Sequence, residues 1–199
     1  MPVNAPRISQ DALDQLFMSA RTHNGWLDTP VSDDKLKEVY DIAKMGATSM
    51  NTQPMRLVFV RTPEARERLS TMVSPGNVDK VRQAPVIVIF ANDSKFYEYM
   101  PKIWFREGAK EMFEGNPAMA AATATRNATL QAAYFMIAAR AVGLDCGPMS
   151  GFDIPKVNAE YFADGRYQAN FICALGFGDE SKLFERQPRL SFEEVSTLL

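Results

Sequence analysis

The run PVIVIFA, Pro85 to Ala91, constrains the fold more than any other stretch, because every position from Val86 to Ala91 is apolar. Successive side chains of a strand point to opposite faces. A strand that is apolar throughout must therefore be covered on both sides, which calls for helices above and below its sheet. At seven residues the run is also far below the roughly 20 residues needed to cross a bilayer.

The flanking sequence supplies both kinds of element. MRLVFVRT and ANFICALGFGD read as further strands. Ser9 caps a helix over about Asp11 to Ala20, with Leu13, Leu16 and Phe17 on one face. Ser32 caps a second, with Leu36, Val39, Tyr40, Ala43 and Met45 as its apolar stripe, ending near Gly46. Thr62 and Pro63 open a third, reaching about Val73. The longest helical pattern runs from Pro117 to Val142, alanine-rich, with Leu130, Ile137 and Ala141 on one face and Gly143 closing it. LDCGPMSGFD reads as a loop, and Pro155 begins a helix to about Phe162.

Three or four strands with five or more helices make an α+β, three-layer domain rather than a doubly wound one. GFGD follows the last strand and lacks the third glycine of a dinucleotide fingerprint, and no P-loop occurs. At 199 residues the whole chain, 1–199, is expected to be one domain. Within it, 1–18 holds the N-terminal helix, 94–116 forms short aromatic-rich helical pieces resembling a lid, and 180–199 is a polar tail.

A net charge of −2 creates no field that would draw nucleic acid or an anionic membrane. The N-terminus has polar and acidic residues where a signal peptide would be continuously apolar, so a cytoplasmic location is expected. Cys146 and Cys173 are the only cysteines and His23 the only histidine, which excludes a zinc knuckle or multi-histidine metal site. The cysteines read as small buried residues.

Polar and backbone-permissive residues concentrate in RTHN, GATSMNTQP, PGNVDK and GPMSGFD, with a basic patch, ERQPRL, in the tail. Such a set suits a ligand with an anionic end, a chain of hydroxyls and a flat ring with a polar edge, the three parts of flavin mononucleotide, FMN. The order Arg21-Thr22-His23, Ser49-Met50-Asn51-Thr52-Gln53-Pro54, Asn77-Val78-Asp79-Lys80, Gly147 to Phe152, and Arg186 to Leu190 resembles the FMN-dependent nitroreductase family from about Ser19 onward. ARTHNGW, GNVDK, RNATLQAAY, GLDCGPMSGFD and PRLSFEEV resemble, more narrowly, the branch containing the malonic semialdehyde reductase of the Rut pyrimidine-degradation pathway.

The resemblance implies a small, mostly antiparallel sheet flanked by helices, in a homodimer whose C-terminal tails embrace the partner subunit. It implies that Arg21 and Arg189 hold the FMN phosphate, helped by His23 where many members have serine. Asn77 and Lys80 would meet the pyrimidine edge, where a cation favours the charge that reduction creates. Ser150 would present its backbone N–H to the ring, with Met149 packed on one face and Gly151 letting the chain pass close. Ser49, Asn51 and Gln53 would reach the partner's flavin. Asn24-Gly25-Trp26 departs from members that carry a second cation there.

NADH or NADPH would supply hydride and an acceptor would take it from the same face, so no catalytic side chain is expected. The branch implies reduction of malonic semialdehyde to 3-hydroxypropanoate, with Arg106 and Arg126 as candidate partners of the substrate carboxylate. A reductase of nitroaromatics or quinones, and a flavin-binding protein or interaction module without turnover, are the competing readings.

Overall fold

A computed structural model describes residues 6–199. The first five residues, part of the expected N-terminal segment, lie outside the described residues. Among the described residues four strands, β1 (Met55–Val60), β2 (Val86–Asp93), β3 (Asp145–Met149) and β4 (Tyr167–Gly176), form one sheet in the order β1-β2-β4-β3. All three neighbouring pairs are antiparallel, with Val60 opposite Ile87, Val86 opposite Leu175 and Asp145 opposite Gly176. The helices are α1 (Gln10–Leu13), α2 (Asp33–Ala43), α3 (Pro63–Ser70), α4 (Val78–Gln83), α5 (Met100–Ile103), α6 (Ala109–Glu114), α7 (Pro117–Ala141), α8 (Ile154–Tyr161) and α9 (Phe192–Val195).

The apolar run behaves as its pattern demands. Val86, Val88 and Phe90 enter a core with Leu36, Val39 and Ala43 of α2 and Ala128, Ala132 and Phe135 of α7. Ile87, Ile89 and Ala91 point the other way, against Leu69, Val81 and Val157 of α3, α4 and α8. Residues 86–91 are at most 1% exposed, so the sheet is a middle layer between two helical ones. No helix among the described residues is long and apolar enough to cross a membrane.

The caps at Ser9, Ser32 and Thr62 are present, each hydroxyl accepting from a backbone N–H three residues on. The first helix is shorter in α form than expected: α1 passes into a π-helical turn over Asp14–Met18, and Phe17 is exposed. Tyr40 of α2 and Met45, just beyond its end, are exposed, because the face from Leu36 through Val39 to Ala43 already fills the contact with α7.

Two expectations need correction. DCGPM is a strand, β3, and not part of a loop. As an edge strand that pairs with β4 alone among the four strands, it has room for Pro148, whose missing N–H costs a central strand a ladder bond but an edge strand nothing. The inner face of α7 is not the line Leu130, Ile137, Ala141. It is Ala124, Asn127, Ala128, Gln131, Ala132, Phe135, Ala138 and Ala139, with Leu130 and Ala141 outside. Small residues let this helix approach the sheet closely, and its buried amides are spoken for by backbone groups described below.

Segment 94–116 comprises a 3₁₀ turn, α5 and α6. Phe96, Met100, Ala109 and Phe113 form a separate small core with Ala120 and Ala124 of α7. The tail beyond Gly176 is mostly irregular until α9, whose capping box pairs Ser191 with Glu194. Phe184, Leu190, Phe192, Val195 and Leu198 in it are all exposed, from 61% to 84%.

Candidate functional site

Strand β3 organises the site, because loops dock at both of its ends. At its start, segment 21–26 lies alongside: Thr22 bridges Cys146, and the His23 N–H donates to the Cys146 carbonyl at 3.1 Å. A Cβ on Gly147 would sit 2.5 Å from the His23 carbonyl oxygen, so only glycine permits this approach. The docking carries Arg21 to the sheet edge. There its guanidinium donates to the carbonyl of Phe184 in the returning tail, and Arg186 donates to the carbonyls of Met18 and Ala20 at 2.8 and 3.0 Å.

Between these segments lies a cleft of about 770 Å³ lined by Arg21, Arg140, Arg186 and Arg189. Among the described residues each of these four guanidiniums donates to backbone carbonyls only, and although Glu185 also lines the cleft, no carboxylate pairs with any of them. The structure brings Arg21 and Arg189 to one cleft, joined by Arg140 and Arg186, which the sequence did not single out for this role. Arg140 had no distinguishing signal, since the last turn of a long helix commonly carries a cation.

His23 does not line this cleft. Its imidazole is 5% exposed, with Nε2 3.3 Å from Asp145 Oδ1 and the ring packed against Gly178 and Trp26. A histidine with no alternation or motif around it offered nothing from which that burial could be read.

At the far end of β3, Met149 is buried and Ser150 exposed. Val73 bridges Phe152, and the Gly151 carbonyl accepts from the Ser74 N–H at 2.9 Å and from Asn77 Nδ2 at 3.0 Å. A Cβ on Gly151 would come within 2.9 Å of both Asn77 Nδ2 and Ser74 Oγ. Asn77, Ser74 and Gly151 therefore form one clamp, with exposed Ser150 next to it in the chain, and Lys80 stands in the first turn of the adjoining α4, partly buried and in no ion pair among the described residues.

Ser49, Asn51 and Gln53 belong to a different neighbourhood. Met50, Asn51 and Gln53 have φ of 50°, 54° and 44°, in the left-handed region where non-glycine residues cost of order 1 kcal/mol or more each. Buried Asn127 holds the loop by accepting from the Ser49 N–H at 2.8 Å, and buried Gln131, one helical turn on, accepts from the Met55 N–H at 2.9 Å. Asn51 Nδ2 donates to the Ile103 carbonyl, and Gln53 Nε2 to Asn51 Oδ1, both at 2.9 Å. The loop thus faces segment 94–116 and does not line the arginine cleft of its own chain. Arg106 stacks over Phe105 at 5.2 Å, and Arg126 is exposed on α7 with no ion pair to Glu107 or Glu111.

Cys146 and Cys173 are both free and buried, and burial pushes the Cys173 thiol well up, so Cys173 supplies no ready thiolate. No cluster of three or more potential metal ligands occurs among the described residues.

Residues 18–178 match the nitroreductase family. The chain is a member of that family. A relative from Polynucleobacter asymbioticus, provisionally named NADH dehydrogenase/NAD(P)H nitroreductase, is 51% identical over 192 residues, covering 96% of this chain and 98% of that protein. A nitroreductase-type structure from Bacillus subtilis superposes with a TM-score of 0.85 at 19% identity, covering 96% of this chain and all of the other. Another, from Exiguobacterium sibiricum and in complex with FMN, gives 0.81 at 16% identity over 98% of this chain. At those identities the two structures speak for the nitroreductase fold. Family membership also makes the chain an NAD(P)H oxidoreductase, in a family that uses FMN with NAD(P)H.

Proposed function

We propose that this nitroreductase is an FMN-dependent homodimer of the cytoplasm that reduces malonic semialdehyde to 3-hydroxypropanoate at the expense of NADH or NADPH. The observation that supports it most is the spacing of an arginine cleft and a glycine-gated clamp at opposite ends of β3. Those two ends suit a ligand with a dianionic phosphate at one extremity and a hydrogen-bonding ring at the other.

The residues fit FMN. Arg21 and Arg189 hold its phosphate, with Arg140 and Arg186 adding charge to the same cleft. Asn77 and Lys80 would hold the pyrimidine edge, and Met149, Ser150 and Gly151 would lie along one side of the ring. His23 acts through position, holding segment 21–26 to β3 through its backbone N–H and to Asp145 through its ring. Lys80 is the cation closest in sequence to the clamp, and a positive charge there favours the reduced, more anionic cofactor. FMN, when bound, accepts hydride from NAD(P)H and passes it to an acceptor. In the proposed reaction the aldehyde carbon gains that hydride and its oxygen gains a proton from solvent.

The exposed apolar residues of the tail are the part of the surface that a partner subunit would cover. The 49–53 loop, strained and kept out of its own chain's arginine cleft, is suited to complete the partner's site. Nitroaromatic or quinone reduction is the second reading, favoured by the name of the 51% identical relative.

Purified protein should be yellow and should bleach anaerobically on addition of NADH or NADPH. Turnover with malonic semialdehyde, measured beside a nitroaromatic and a quinone, decides the acceptor. Faster turnover of the uncharged acceptors would replace the first reading by the second, and a colourless protein that ignores added FMN would end both.

A further inference from the structure

A separate cleft of about 420 Å³ opens where the 49–53 loop meets segment 94–116, and its wall includes Tyr40, Gln53, Arg56, Tyr99, Lys102 and Gln131. Gln131 is 4% exposed, and its Oε1 is fixed by the N–H of Met55. That bond sets the amide orientation and leaves Nε2, which has no acceptor among the described residues, as the group presented to the cleft. A donor at the cleft wall with no protein acceptor is available to a ligand's acceptor.

The charges of the cleft are unequal. Arg56 is committed to Asp93 at 2.6 Å, Asp93 also receives Arg166, and Arg166 pairs with Glu98 at 2.8 Å. Two carboxylates thus offset two guanidiniums. Lys102 makes no ion pair among the described residues, and no carboxylate lines the cleft.

We propose that this cleft is a subsite for a small carboxylate, the anionic end of the acceptor, with Lys102 as its counter-charge and Gln131 Nε2 as its neutral donor. The inference rests on the functional reading above, in which Gln53 approaches the partner's flavin. Gln53 is common to that loop and to this cleft, which sets the carboxylate subsite beside the reacting centre. Arg106 lies in another cleft and Arg126 on the outer surface of α7, so neither lines this one.

The test uses FMN-loaded protein and two readouts, calorimetric binding of malonate and the KM for malonic semialdehyde against propanal. Lys102→Met should weaken malonate binding and raise the semialdehyde KM, each by about tenfold or more, the scale of one charge-assisted hydrogen bond. The KM for propanal and the rate of bleaching by NADH should stay within about twofold on that same scale. Lys102→Arg should restore most of the loss. Gln131→Glu keeps the acceptor for Met55 while replacing the donor by an acceptor, and should act in the same direction as Lys102→Met. Unchanged malonate binding in Lys102→Met, or an equal change for propanal, overturns the subsite even if the wild type reduces the semialdehyde. Lys102-dependent malonate binding without semialdehyde turnover sustains the subsite and overturns the acceptor.

Discussion

Arginines gather in two places in this molecule, and the two gatherings are built differently. Arg56 and Arg166 converge on Asp93, whose side chain is fully buried and receives both guanidiniums together with the Lys95 N–H. Tyr99 and Tyr167 flank both guanidiniums, with ring centroids 4.9 to 5.9 Å away. Arg21, Arg140, Arg186 and Arg189 share a cleft with Glu185 but form no ion pair with a carboxylate among the described residues. The first group is complete within the chain, and its charge is spent on joining β1, β2 and the turn before β4. The second keeps its charge for something else. Residue type alone would not separate a structural cluster from a binding one; the presence of the buried acid does.

That contrast is open to attack by mutation. The largest effect is expected from Asp93→Ala, which strands two partly buried cations and should lower unfolding stability by about 3–5 kcal/mol, measured in urea. Stability within 1 kcal/mol of wild type, a small part of that range, would show that the cluster is not structural. Arg21→Ala or Arg189→Ala should instead weaken FMN binding by roughly 10- to 100-fold in a flavin fluorescence titration, with the unfolding midpoint of the apoprotein nearly unchanged. A large loss of apoprotein stability would make the two clusters alike after all.

Gly151→Ala should weaken FMN binding several-fold and cost about 1–3 kcal/mol of stability, because its methyl group meets Asn77 and Ser74 at 2.9 Å. Flavin titration and urea unfolding of the same sample give both numbers. The smallest response should come from the thiols. With Cys173 pushed upward by burial, iodoacetamide at about pH 8 should leave the native chain unlabelled and label both cysteines only in denaturant. Rapid native labelling would show that β3 and β4 open readily.

The fold was legible wherever its causes were local. Ser9, Ser32 and Thr62 announced helix starts because a cap acts on a backbone group three residues away. The run from Val86 to Ala91 announced a covered strand because alternation is intrinsic to an extended chain. What escaped depended on distant partners. Gly147 and Pro148 look like a turn until β4 supplies a ladder, and only the edge position tolerates that proline. Asn127 and Gln131 look like the polar side of a helix, yet they face inward because residues more than seventy positions earlier need acceptors. Family resemblance picked out Arg21 and Arg189, while the geometry that joins Arg140 and Arg186 to them in one cleft is a property of how the tail returns.

The five residues of β3 also act as a ruler. One end fixes where segment 21–26 can lie and the other where Gly151 meets Asn77, so the distance between a charged grip and a ring-sized one is set by counting residues. At about 3.4 Å per residue, a single insertion would lengthen that distance and turn every following side chain to the opposite face. Substitutions along β3 can tune either grip, but a change of length would put both out of step at once, and the arginine cleft and the Gly151 clamp are thereby held to a common gauge.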